Sequence, residues 1–223
     1  MGPWEIAVAG RIDRDKLRMM LRRLGDEFIF RMLCDAVELM PPAKLHKLVE
    51  SYLDPDSLLP DDNQPENLLA KVQSFERTSL AGDYYESFDV NSKNCTKKSS
   101  GTIAWIAECN RLLDLCVAQT RRGSASESRQ CFDIIFGLLD EIDACRDNIV
   151  FFADEAGAWQ VGVDWETVLP SWFKVLSETA MPEEYATRVV DLLNRHYKYE
   201  SPRMLAMARK FATPAQGRAL ANA

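Results

Sequence analysis

Apolar residues recurring at three- and four-residue intervals constrain this chain more than any other feature. In "TIAWIAECNRLLDLCVAQT", Trp105, Cys109, Leu112 and Cys116 follow at spacings of 4, 3 and 4. In "RQCFDIIFGLLDEIDAC", Cys131, Ile135, Leu138, Ile142 and Cys145 recur at 4, 3, 4 and 3. An α-helix turns once in about 3.6 residues, so each set lines one side of a helix. The two stripes predict facing seams of an antiparallel helix pair. The link "RRGSASES" carries Gly123 to stop one helix and serines to cap the next.

The same period runs through most of the chain. Leu17, Leu21 and Leu24 follow Asp13, and Gly25 then breaks the run. "DEFIFRMLCDAVELM" is apolar on nearly every side, which predicts a buried helix. Leu45, Leu48, Val49 and Tyr52 share a face, as do Leu68, Leu69, Val72 and Phe75 behind Pro65. Asp164 is placed to cap "WETVLPSWFKVLSETA", and Pro170 should kink or split that helix. Pro182 opens the next, where Glu183 and Glu184 suit the positive end of the helix dipole. Ser201-Pro202 and Thr213-Pro214 read as further helix starts, with Thr213 and Gln216 in a capping box.

These elements predict a mainly α protein of stacked antiparallel helical hairpins, forming an irregular α-solenoid or a helical bundle. Residues 79–101, "SLAGDYYESFDVNSKNCTKKSSG", lose the period and read as a long irregular loop. It divides the chain into an N-terminal helical part, 1–78, and a C-terminal part, 102–223, within one continuous domain.

"NIVFFADEAGAWQVGVDW", residues 148–165, stands apart. Its apolar run ending in Asp154 and Glu155 has the shape of a Walker B strand. That chemistry needs a Gly-Lys phosphate loop, and the chain has no Gly-Lys dipeptide. The local pattern predicts instead a short β-hairpin over 149–163. Its arms would be Ile149–Ala153 and Trp159–Val163, with Gly157 in the turn and Trp159, Val161 and Val163 on one face.

Stacked helical hairpins give the chain an architecture that resembles TPR- and HEAT-like α-helical repeat proteins. The resemblance is one of architecture only. It lacks the repeated W-x2-L-G-x2-Y signature, and its units are unequal in length. Around "YYESFDVNSKN" and "FFADEAGAWQVGVDW" it also looks like a bacterial helical protein. That likeness assigns no functional residue.

Composition narrows the function classes. The formal net charge is -7, which does not favour a general nucleic-acid footprint. Residues 1–25 hold six Lys/Arg against three Asp/Glu, a charge of +3, which leaves -10 for the remainder. Arg11, Arg14, Arg18 and Arg22 fall on one helical stripe there. Such a stripe either pairs with acids or meets an anionic surface. No apolar run approaches the roughly 20 residues of a membrane span, and the start does not read as a secretory signal. Six cysteines without C-x-x-C spacing then predict reduced thiols in the cytoplasm. Cys95 is the thiol expected to be most exposed.

Three readings follow. The first is a non-enzymatic protein–protein interaction or scaffold module with a protein partner and no cofactor. Its anchors would be Tyr84, Tyr85, Phe88, Trp159, Trp165 and Trp172, residue types that dominate interfaces. The second is a metal-assisted hydrolase, with Asp154 and Glu155 as catalytic acids and Asp164 as a further metal ligand. The third is binding of nucleic acid or another anionic surface through the Arg11–Arg23 stripe. His46 and His196 lie on predicted helices without ligand-spaced partners and are read as surface or partly buried.

Overall fold

The computed structural model describes residues 12–53, 67–121, 124–145, 148–153, 157–198 and 201–223. It is mainly helical, and the chain divides into two compact units, residues 1–59 and 60–223. The division falls before the 79–101 segment, and the helix before that segment belongs with the second unit.

The N-terminal unit holds α1 (Arg14–Leu21), α2 (Asp26–Leu39) and α3 (Pro42–Val49). Asp13 caps α1, its carboxylate accepting from the Asp15 and Lys16 N–H groups at 2.9 and 3.1 Å. None of the residues 12–53 whose side chains are described is buried. The expectation that "DEFIFRMLCDAVELM" forms a helix holds, but the expectation of a buried one does not. Phe28 is 62% exposed, Leu33 51% and Leu39 84%.

The C-terminal unit begins with α4 (Leu68–Leu80), α5 (Ser100–Gln119) and α6 (Ala125–Ala144). It continues with α7 (Trp165–Thr179), α8 (Pro182–His196), α9 (Ser201–Phe211) and α10 (Pro214–Asn222). Side-chain caps at Asn67, Ser99, Asp164 and Thr213 start four of these helices, the last with the full capping box. α7 runs through Pro170 without splitting. Pro170 lies in the second turn, where it forfeits only the bond to the Glu166 carbonyl.

Helices two apart in sequence pack together: α4 on α6, α5 on α7, α7 on α9 and α8 on α10. Sequential helices from α4 to α9 also touch, so even- and odd-numbered helices pack against each other as well. The core lies where these contacts meet. Trp105, Cys109, Leu112 and Cys116 are fully buried, as are Cys131 and Ile135, and Leu138 and Ile142 nearly so. The predicted seams of α5 and α6 are therefore the real ones. Cys145 is the exception. It ends α6 in the left-handed conformation at φ 50 and is exposed. Cys95 is only half-buried in place of the exposure expected for it.

Among the described residues of 149–163 no β-hairpin forms. Ile149 is fully buried, and the next residues pair with the first turn of α5 and the segment before it. Phe151 N–H donates to Thr102 Oγ1 at 3.1 Å, and that hydroxyl donates to the Phe151 carbonyl at 2.9 Å. Phe152 makes an isolated antiparallel bridge to Lys98. Where the second arm, Trp159–Val163, was expected, a 3-10 turn, Ala158–Val161, forms instead. Its Ala158 N–H donates to Asp143 Oδ1 at 2.6 Å, and its Val161 carbonyl accepts from Asn110 Nδ2 at 3.1 Å. The backbone groups a hairpin would pair are thus taken by α5 and α6 and by the segment before α5. The expected alternation fails with it: Trp159 is 70% exposed while Val161 is buried.

The long segment between α4 and α5 is strapped down rather than free. Glu86 accepts from Ser100 Oγ at 2.6 Å and from Gly101 N–H at 2.8 Å, at the N-terminus of α5. Gly101 is required there, since a Cβ would sit 2.2 Å from the Tyr84 carbonyl oxygen.

Candidate functional site: the charged groove between α6 and α8

Charged side chains join α6 to α8 at a constant offset of 55 residues. Arg129 pairs with Glu184, Asp133 with Arg188, and Asp140 with Arg195. Residue numbers rise together on both sides, so the two helices run parallel. The Arg188–Asp133 pair is bidentate, at 2.9 and 2.5 Å. This planar fork is the geometry in which arginine binds carboxylate best.

At the C-terminal end of the groove the ladder closes on His196. Its side chain is only 4% exposed. Nε2 lies 2.9 Å from Asp140 Oδ1, and Nδ1 lies 3.2 Å from Asp143 Oδ2. One face of the ring stacks on Trp165, with centroids 5.4 Å apart and planes at 15°. Asp143 also holds the 3-10 turn through Ala158, so this cluster ties α6, α7, α8 and the turn together. Burial pushes the Asp140 carboxyl up, but hydrogen bonds and charge from His196 and Arg195 outweigh it. The carboxyl is held below the ordinary aspartate range.

The ladder encloses a cavity of about 130 Å³ whose lining includes Phe136, Gly137, Trp172 and Leu192. Ligand pockets for drug-sized molecules span roughly 300–1,000 Å³. The groove is smaller than that, and its arginines are paired with its aspartates. It suits a structural joint better than a small-molecule site. Gly137 leaves open space at the groove wall, with nothing within 4 Å of an added Cβ. Gly137→Ala is therefore expected to raise stability by about 0.5–1 kcal/mol, the usual helix-interior difference between the two residues. Urea unfolding followed by circular dichroism checks this, and a loss of stability would show that the space is needed.

A second cavity of about 370 Å³ lies between α4 and α5, lined by Lys71, Ser74, Phe75, Thr78, Tyr84, Glu108 and Arg111. Glu108 and Arg111 pair with each other at 2.7 and 2.8 Å.

The residues singled out by sequence fall in different places. Asp154 and Glu155 lie outside the described residues, as does Arg11. Asp164 caps α7, accepting from the Thr167 N–H and hydroxyl at 3.3 and 2.8 Å. Its neighbour Glu166 pairs with Arg203. Among the described residues no group of three or more His, Cys, Asp or Glu is placed to hold a metal ion. Tyr85 and Phe88 pack edge-on against Phe151, and Tyr84 against Phe75. Trp165 is half-buried on His196, and Trp172 is a core residue at 1% exposure. Of the proposed anchors Trp159 is the most exposed, at 70%, and Tyr85 is exposed at 36%. Arg14 and Arg18 on α1 and Arg22 at its C-cap are exposed, and Arg18 pairs with Asp15 at 2.6 Å.

The buried thiols are packing groups. Burial pushes Cys109 up, and the hydrogen bond with Cys131 together with burial pushes Cys116 up.

Sequence reasoning missed the His196 cluster. Its trace was a matching interval: Asp133 and Asp140 are seven apart, as are Arg188 and Arg195. Seven residues are about two helical turns, so each pair lies on one face.

No family model, curated protein or solved structure matches this chain. Among the described residues no helix is long and apolar enough to cross a membrane.

Proposed function

We propose that this protein is a non-enzymatic helical interaction module. Its C-terminal unit would be a rigid, solenoid-like scaffold, and α1–α3 would be the docking element. One observation carries the reading. Fourteen large apolar side chains between Ile12 and Leu53 are exposed, and no described side chain there is buried. Amphipathic helices gain most of their stability by burying an apolar face. An exposed apolar surface of this extent marks an interaction site. The C-terminal unit needs no such cover. Among its described residues only Leu80, Tyr85, Val90, Trp159 and Met181 are exposed large hydrophobics.

The partner proposed is a protein, and the cytoplasm is the compartment proposed, since free cysteines suit a reducing environment. The test uses hydrogen exchange and a hydrophobic dye on the full chain under dissociating, dilute conditions. The α1–α3 amides should exchange far faster than those of α5 and α6, and the dye should bind. Leu33→Asp should reduce dye binding without lowering the melting temperature of the C-terminal unit. Equal protection of α1–α3 and α5–α6, with no dye bound, would sink the reading.

A further inference from the structure

We infer that the partner of α1–α3 is the same element of a second copy of this chain, so that the N-terminal unit is a homodimerisation device. The inference rests on the proposal that α1–α3 is a docking element. It adds the identity of what docks.

Charge segregation along the unit carries the step. Residues 14–23, α1 and its end, hold five basic residues against one acid, a charge of +4. α2 holds four acids against one arginine, a charge of -3. α3 holds two lysines and no acid, a charge of +2. A two-fold pairing uses one surface twice, so that surface must be complementary to itself. Laying α1 of one copy against α2 of the other brings +4 to -3 on both sides of the two-fold axis. The apolar side chains Leu17, Met20, Phe28, Leu33 and Val37, all exposed, would fill the space between. Opposed charge fixes register and partner choice, while apolar burial supplies affinity.

The size is adequate. A standard interface takes about 20–30 residues from each side, and the unit presents 42 described residues with no buried one among the side chains described. A lipid surface fits less well. The most apolar helix, α2, is also the acidic one, and the whole chain carries -7. Anionic lipid repels both.

The experiment is sedimentation velocity of the full chain over about 1–100 µM, where a dimer must dissociate by mass action. Wild type should shift from monomer to dimer as concentration rises. Two charge-reversed chains are then compared. One carries Arg14→Glu, Arg18→Glu and Arg22→Glu, and the other carries Asp26→Arg and Asp35→Arg. Each alone should dissociate at a concentration at least about tenfold higher than wild type. An equimolar mixture of the two should recover a heterodimer. Circular dichroism of each variant, and an unchanged melting transition for the C-terminal unit, separate this from misfolding. If either reversal misfolds, Leu33→Asp takes its place and should be monomeric throughout.

A wild-type chain that stays monomeric to about 100 µM overturns the inference. If that monomer still binds the hydrophobic dye, the docking reading survives and another partner occupies the surface. If it binds no dye and α1–α3 is well protected, both fail. Co-sedimentation of the monomer with phosphatidylserine vesicles, abolished by the three arginine reversals, would overturn the second copy in favour of a membrane surface.

Discussion

Replacing Trp105 with alanine is expected to cost the C-terminal unit about 3–5 kcal/mol, the range for removing a fully buried tryptophan. Trp105 is completely buried on α5, and its ring lies 5.3 Å from that of Phe75 on α4. Its indole N–H donates to Ser79 Oγ at 2.8 Å, and Ser79 is itself fully buried. One side chain thus supplies both the packing and the polar bond that hold α4 on α5. Trp105→Phe divides the two contributions. It keeps most of the ring contact but removes the partner of Ser79, at an expected cost of about 1–3 kcal/mol. Urea unfolding followed by far-ultraviolet circular dichroism measures both. A loss below about 1 kcal/mol for Trp105→Ala would mean that this core is far looser than its burial implies.

The second large effect is expected at His196. Its removal deprives Asp140 and Asp143 of a shared partner inside the groove and leaves Trp165 without its stacked ring. His196→Ala should cost about 1.5–3 kcal/mol near neutral pH, the scale of hydrogen bonds to charged groups. The pH dependence distinguishes this from simple loss of volume. The folded Asp140 carboxyl is held low, so its contribution is present above the unfolded value of about 3.9. That contribution is lost as pH falls through the folded value. Wild-type melting temperature should therefore drop steeply on acidification below about pH 4. His196→Ala, which removes one cause of the lowering, should drop less, and the two curves should converge. A constant gap down to about pH 2 would assign the loss to packing alone.

Most of the helical framework was legible because its signals are local. A helix face needs only residues three and four apart, and a cap needs only four. Hence the α5 and α6 seams, the Asp164 cap and the Thr213–Gln216 box could be read directly. Two features were not local. The 149–163 segment has the alternation of a hairpin, but Thr102, Asp143 and Asn110 compete for its backbone from 15 to 51 residues away. Periodicity has no access to such competitors. The groove failed for the same reason. His196 looked isolated along the chain because its carboxylates lie 56 and 53 residues upstream. The burial of α2 misled in another way. Apolar character predicts that a surface will be covered, without saying whether the cover comes from the same chain.

The parallel register of α6 and α8 has a consequence for synthesis. α6 emerges from the ribosome with its aspartates solvated, and their arginines follow 55 residues later. At about 5–20 residues per second that delay is roughly 3–11 s. During it, α4, α5 and α6 have all been made and can already pack on one another. α8 would then dock onto a surface already formed, guided by its charge as it arrives. The ladder is in that sense a late fastening on an early nucleus.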